Sequence, residues 1–89
     1  MIATFIRFVD TSPQGTRQEL FSLDPPLKGN TIVSVSMLSR AFDTGDPETL
    51  IFPAQEDGWI TSIKPLGELY GTTDANKALE NAGYSVVRE

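Results

Sequence analysis

The fold is decided by residues 71–87, which read GTTDANKALENAGYSVV. Residues 72–74 carry side-chain oxygens that can accept from the free N–H groups of a first helical turn, and the negative charge of Asp74 suits the positive end of the helix dipole. Gly83 supplies the left-handed residue that ends a helix. Residues 84–87 have the composition of a strand. The stretch therefore predicts a short helix followed by a short final strand.

The predicted helix is apolar on one face. A helix of about nine or ten residues is marginal alone in water, so it must dock on a sheet. The residues that recur at the spacing of that face are Ala75, Ala78, Leu79 and Ala82.

The chain before this helix has the composition of strands and turns. The Asp57-Gly58 pair predicts a tight turn. The prolines at positions 25 and 26 are expected to end a strand. We predict an α+β domain, in which an antiparallel sheet of about four to six strands carries the C-terminal helix on one face, followed by the short final strand. The predicted strands are residues 2–9, 17–23, 31–39 and 49–52, with residues 59–61 as a returning hairpin arm and 64–70 as loop.

The strongest strand pattern lies at residues 31–39, and we expect this strand to be central. Its apolar residues alternate with Ser34 and Ser36, which fall on the opposite face. We expect the serine face to be partly wet or covered by something polar.

Length and composition indicate one globular domain. The chain has 89 residues, of which 39% are hydrophobic and 21% charged. It has no cysteine and no histidine, which excludes disulfides, Cys-His and Ser-His-Asp catalysis and nearly every zinc, copper or haem site. We expect no cofactor and no metal. No apolar run approaches the ~20 residues that span a bilayer, so we expect a cytoplasmic protein without membrane contact.

The negative charge is concentrated in residues 41–60, which hold five acidic and no basic side chains, while the whole chain has a net charge of −5. Such a segment repels nucleic acid and attracts basic protein surfaces. Solvated acidic loops would give the same pattern. The candidate partner-binding residues are Asp43, Asp46, Glu48, Glu56, Asp57 and Trp59.

Trp59 is the sole tryptophan and follows the acidic turn directly. Tryptophan is enriched among the residues that dominate interface energetics, so Trp59 is a candidate interface anchor. In a core this small it could equally be the main packing residue under the helix. The sequence leaves both readings open.

An enzymatic interpretation depends on Asp43, which lies in a DTG triplet of the kind that aspartic proteases use. A protease monomer of that type needs a long flap hairpin, and the chain after residue 46 is already assigned to a strand and a tight turn. Calcium binding by Asp43, Asp46 and Glu48 is the other option, but their spacing fits no defined calcium loop. A turn in which the aspartates bond their own backbone explains the triplet as well.

A pattern in the C-terminal half consists of ETLIFPA at 48–54, Asp57-Gly58, Thr61, Gly71, Asp74, Ala78-Leu79 and Gly83-Tyr84. This pattern resembles the C-terminal part of small uncharacterised proteins of bacteriophages and bacterial genomes. The resemblance implies a phage or mobile-element setting, in which small acidic proteins often bind a host protein, and it carries no catalytic residue.

Three functions follow as hypotheses. The first is a non-enzymatic interaction or assembly module, which could form a homodimer through sheet edges or through the polar face of the 31–39 strand. The second is an acidic inhibitor that binds a basic, nucleic-acid-binding host protein through residues 43–57. The third is an enzyme that uses carboxylates.

Overall fold

A computed structural model describes residues 1–9, 17–38, 48–71 and 73–88. Asp43 and Asp46 lie outside the described residues. Within those ranges the chain forms one sheet and one short helix in an α+β arrangement, and the sheet curls into a half-barrel. The elements are β1 (Ile2–Val9), β2 (Arg17–Leu27), β3 (Asn30–Leu38), β4 (Glu48–Pro53), β5 (Gly67–Tyr70), α1 (Ala75–Asn81) and β6 (Ser85–Val87).

The sheet order is β5-β4-β3-β2-β1-β6, so β3 is central as predicted. Neighbouring strands from β1 to β5 pair antiparallel, but β6 pairs parallel with β1. The predicted antiparallel pairing is therefore confirmed for β1 to β5 and does not extend to β6. Two parallel strands cannot be joined by a tight turn and need a crossover connection. Here α1 carries the chain from β5 at one edge of the sheet to β6 at the other edge, where β6 pairs parallel with β1.

Two further strand boundaries differ from the prediction. Residues 67–70 form the edge strand β5 rather than loop, because they find pairing partners on β4. The second strand runs on to Leu27 through both prolines. Its ladder with β3 is irregular between Ser22 and Leu27, so prolines there interrupt no regular pairing.

The helix has the predicted ends and is shorter than expected, with seven residues. The Asp74 side chain accepts from Lys77 N at 3.2 Å as the N-cap. Gly83 follows the last turn with a φ of +100°. The helix packs at the edge of the sheet rather than centrally over one face as predicted, and it contacts β3, β4, β5 and β6.

The main core lies between the helix and one face of the sheet. Tyr84 extends it, and its hydroxyl donates to the Pro25 carbonyl at 2.6 Å. Leu20 and Phe21 are consecutive on β2 and both are fully buried, so both faces of the sheet are covered there. The buried cluster comprises Ala3, Phe21, Leu23, Val33, Val35, Met37, Ile51, Ala75, Ala78, Leu79 and Tyr84.

The serine face of β3 is buried, so the expectation that it is partly wet is wrong, while the alternative of a polar cover is not contradicted. Ser34 is 0% and Ser36 3% exposed, and neither Oγ has a hydrogen-bond partner among the described residues. This buried face also cannot serve as the predicted dimer surface.

Candidate functional site

The acidic turn, defined here as residues 54–60, leaves β4 and folds back over the serine face. Gly58 N donates to Gln55 O at 2.9 Å, which closes the predicted tight turn. Ala54 and Ile60 form one antiparallel bridge, so the predicted hairpin arm is reduced to a single pair. Trp59 O accepts from Gln55 N at 2.9 Å. The turn is thus held by backbone bonds within itself.

Contacts with β1 fix the tip of the acidic turn on the sheet. Arg7 Nη2 donates to Glu56 O at 3.4 Å. Gly58 has a φ of +93°, and a Cβ there would stand 3.2 Å from both methyls of Val9. Val9 pairs with Gln18, and Gln18 pairs with Ser36, so their side chains share one face. The acidic turn therefore crosses the face that carries the buried serines.

Trp59 projects from the acidic turn into solvent, with 72% of its surface exposed. It is therefore not the main packing residue under the helix. The Asp57 Oδ1 atom accepts from Trp59 N at 2.9 Å, which fixes the backbone that carries the indole. Glu56 and Asp57 are also exposed. The turn presents one large aromatic side chain beside two carboxylates.

A groove lies beside the indole, between the acidic turn and β2. Its volume is about 290 Å³, and its described lining residues are Gln18, Asp57, Gly58, Trp59 and Ile60. The sequence did not nominate Gln18. Its place on a strand was predictable, but no local pattern indicates that the turn would fold over that strand.

The structure does not bring all the predicted acidic residues together. Glu48 is 7% exposed and begins β4, where it lies opposite Leu38 and Tyr70. Glu56 and Asp57 lie in the exposed turn beyond the other end of that strand. Glu48 is therefore a buried residue of the sheet rather than part of the exposed acidic surface.

A second polar cluster joins the C-terminus to the sheet, and the sequence did not indicate it. The Arg88 guanidinium forms an ion pair with Glu19, which is 4% exposed, and donates to Asn76 Oδ1 at 2.6 and 2.8 Å. The guanidinium carbon also lies 5.0 Å from the ring centre of Phe5 and 5.3 Å from that of Phe21. Arg88 and Glu19 are 69 positions apart, so no local pattern pairs them.

No group of three or more carboxylates in the described part of the chain is arranged to hold a metal ion. No helix within the described ranges is long and apolar enough to cross a membrane.

Comparisons of the chain with protein-family models, with curated proteins and with solved structures find no match.

Proposed function

We propose that this protein is a small non-enzymatic interaction module whose binding surface is centred on Trp59. The observation that carries the proposal is the 72% exposure of this side chain. An aromatic side chain buries about 150–250 Å² in an interior. At about 25 cal/mol per Å², covering the exposed part of the indole is worth about 3–4 kcal/mol. Truncation of an interface hot-spot residue costs a similar binding free energy.

The rigidity of the acidic turn supports the same proposal. Binding costs free energy when loops must be ordered, so a loop that is already fixed binds more tightly. The Asp57 carboxylate, the turn bond to Gln55 and the contact of Gly58 with Val9 hold the chain around the indole. Trp59 is thus an exposed aromatic residue on a constrained backbone, which is the arrangement expected of an anchor.

The charge beside Trp59 favours a basic partner. Glu56 and Asp57 are exposed next to the indole. Complementary charge increases association rates and excludes partners of like charge. The resemblance of the C-terminal half to small phage proteins is the reason to seek this partner among bacterial host proteins in the cytoplasm. A basic host protein that binds nucleic acid is the narrower form of this proposal.

The test compares capture of a partner by the wild-type protein and by two variants. Trp59→Ala removes the proposed anchor, and Ile63→Ala removes an equally apolar side chain that is 89% exposed and lies outside the groove. Each protein is immobilised and exposed to bacterial lysate at low and moderate salt. We expect the wild type and the Ile63 variant to retain the same protein and the Trp59 variant to lose it. Equal retention by all three would refute the proposal.

A second copy of this chain is the alternative occupant of the same surface. Light scattering after size-exclusion chromatography measures it on the same samples. A dimer that Trp59→Ala dissociates would place the interface at the acidic turn. A dimer that survives this substitution would point to the sheet edges β5 and β6 instead.

A further inference from the structure

We propose that the groove beside Trp59 binds an arginine side chain of the partner polypeptide. The guanidinium stacks on the indole and donates to the Asp57 carboxylate. This inference rests on the proposed function, since it names the chemistry that the same surface recognises.

The lining of the groove has the chemistry that a guanidinium requires. Trp59 supplies an exposed aromatic face, which attracts cations through its quadrupole. Asp57 supplies a carboxylate whose oxygens can accept from a guanidinium. Ile60 adds an apolar surface for the methylene stem of a long cation. The described lining residues include no lysine or arginine. Arg7 lies beside them, with its Nη2 3.4 Å from the position that a Cβ of Gly58 would take.

The acceptor capacity of Asp57 is only partly used. Its Oδ1 accepts from Trp59 N, while a carboxylate has about four acceptor sites on two oxygens. Arg7, which contacts the acidic turn, donates to the carbonyl oxygens of Phe8 and Glu56 and does not line the groove. The carboxylate therefore keeps acceptor sites for an incoming donor.

The geometry favours arginine over lysine. A guanidinium is planar, so it can stack on an indole while its edge donates to a carboxylate. An ammonium is a compact, strongly hydrated charge that cannot make both contacts in this way. The groove volume of about 290 Å³ is at the lower limit for small-molecule sites, which suits one side chain rather than a larger ligand.

The test uses three capped tripeptides, with arginine, lysine or citrulline between two glycines. Citrulline keeps the shape of arginine and removes its charge. Titrations follow the indole N–H of Trp59 and the amides of Gln18 and Gly58 by NMR. We expect saturable shifts with the arginine peptide in the millimolar range, binding of the lysine peptide weaker by about threefold or more, and binding of the citrulline peptide weaker by about tenfold.

Two substitutions locate the contact. Asp57→Asn is expected to weaken binding of the arginine peptide about fivefold. Glu80→Gln is the matched control, because Glu80 is an exposed carboxylate on α1 outside the groove. It is expected to leave affinity unchanged.

Three results would overturn the inference: no saturable shift with the arginine peptide, arginine and lysine peptides that bind within threefold of each other, or unchanged affinity after Asp57→Asn. The proposed function is judged separately by the lysate comparison. Loss of a partner from the Trp59→Ala protein, together with failure of the peptide titrations, would leave the interaction module standing and remove arginine as its ligand.

Discussion

Replacing Arg88 with methionine should destabilise the domain more than the replacement of an exposed residue near a chain end usually does. The substitution keeps an unbranched side chain over Phe5 and Phe21 but removes the charge that faces Glu19. Removing one partner of a buried ion pair costs about 3–5 kcal/mol. The Arg88 side chain is 35% exposed and Glu19 5%, so solvent screens part of the interaction. We expect a loss of about 2 kcal/mol in the free energy of unfolding.

The assay is urea and thermal unfolding followed by far-ultraviolet circular dichroism. For a domain of this size, about 2 kcal/mol lowers Tm by about 8–16 °C. Lys77→Met is the matched control, since Lys77 is an exposed cation on α1, and it should change stability by less than about 0.5 kcal/mol.

A double-mutant cycle separates the ion pair from the packing of the arginine stem. Glu19→Gln is combined with Arg88→Met, and the coupling energy is measured from the four proteins. We expect coupling of about 1 kcal/mol or more, because the two side chains are in contact. Coupling below about 0.5 kcal/mol, or an Arg88→Met protein as stable as the Lys77 control, would refute the claim that the ion pair of Arg88 with Glu19 stabilises the domain.

Three further substitutions test the packing on the sheet, and each is measured by the change in the midpoint of urea unfolding. Gly58 has a positive φ, and the Cβ of Gly58→Ala would lie in close contact with β1. This substitution should lower the free energy of unfolding by about 1–2 kcal/mol more than Gly29→Ala, because Gly29 has a positive φ but open space around it. Equal losses would contradict the packing of the acidic turn on β1. Ser36→Ala removes a buried hydroxyl that has no partner among the described residues, so stability should stay equal or rise by up to about 1 kcal/mol, and a clear loss would mean that the hydroxyl is bonded. Tyr84→Phe removes the hydrogen bond to the β2 carbonyl and should cost about 1 kcal/mol, whereas an unchanged midpoint would show that this bond adds nothing.

The local features of the fold were predictable because local chemistry determines them. Asp74 caps the helix through its carboxylate, and Gly83, which lacks a Cβ, follows its end at a positive φ. The Asp57-Gly58 turn closes as expected. The helix has seven residues rather than about nine or ten, because Asp74 and Ala82 are its N-cap and C-cap and do not belong to its turns.

The errors concern features that depend on distant parts of the chain. β5 becomes a strand only because β4 offers it a pairing edge. β6 runs parallel to β1 because of a crossover that no strand pattern encodes. Ser34 and Ser36 alternate with apolar residues as exposed serines would, yet both are buried.

The candidate site was predictable in part. The sequence nominated Glu56, Asp57 and Trp59, and these three are exposed together on the acidic turn. Glu48 has the same charge and was nominated with them, but its position at the start of β4 buries it. Glu48 therefore differs from Glu56 and Asp57 in its burial, which depends on tertiary contacts.

The most direct test of the account is whether Trp59 becomes covered when the protein binds. The chain has one tryptophan, so labelling with fluorotryptophan gives a single fluorine resonance that reports on this side chain alone. We predict that the resonance shifts and loses its solvent isotope effect when the captured partner, or a second copy of the chain, is bound at saturation. If light scattering shows a complete complex while the resonance keeps the position and solvent isotope effect of the free protein, the binding surface is not at Trp59.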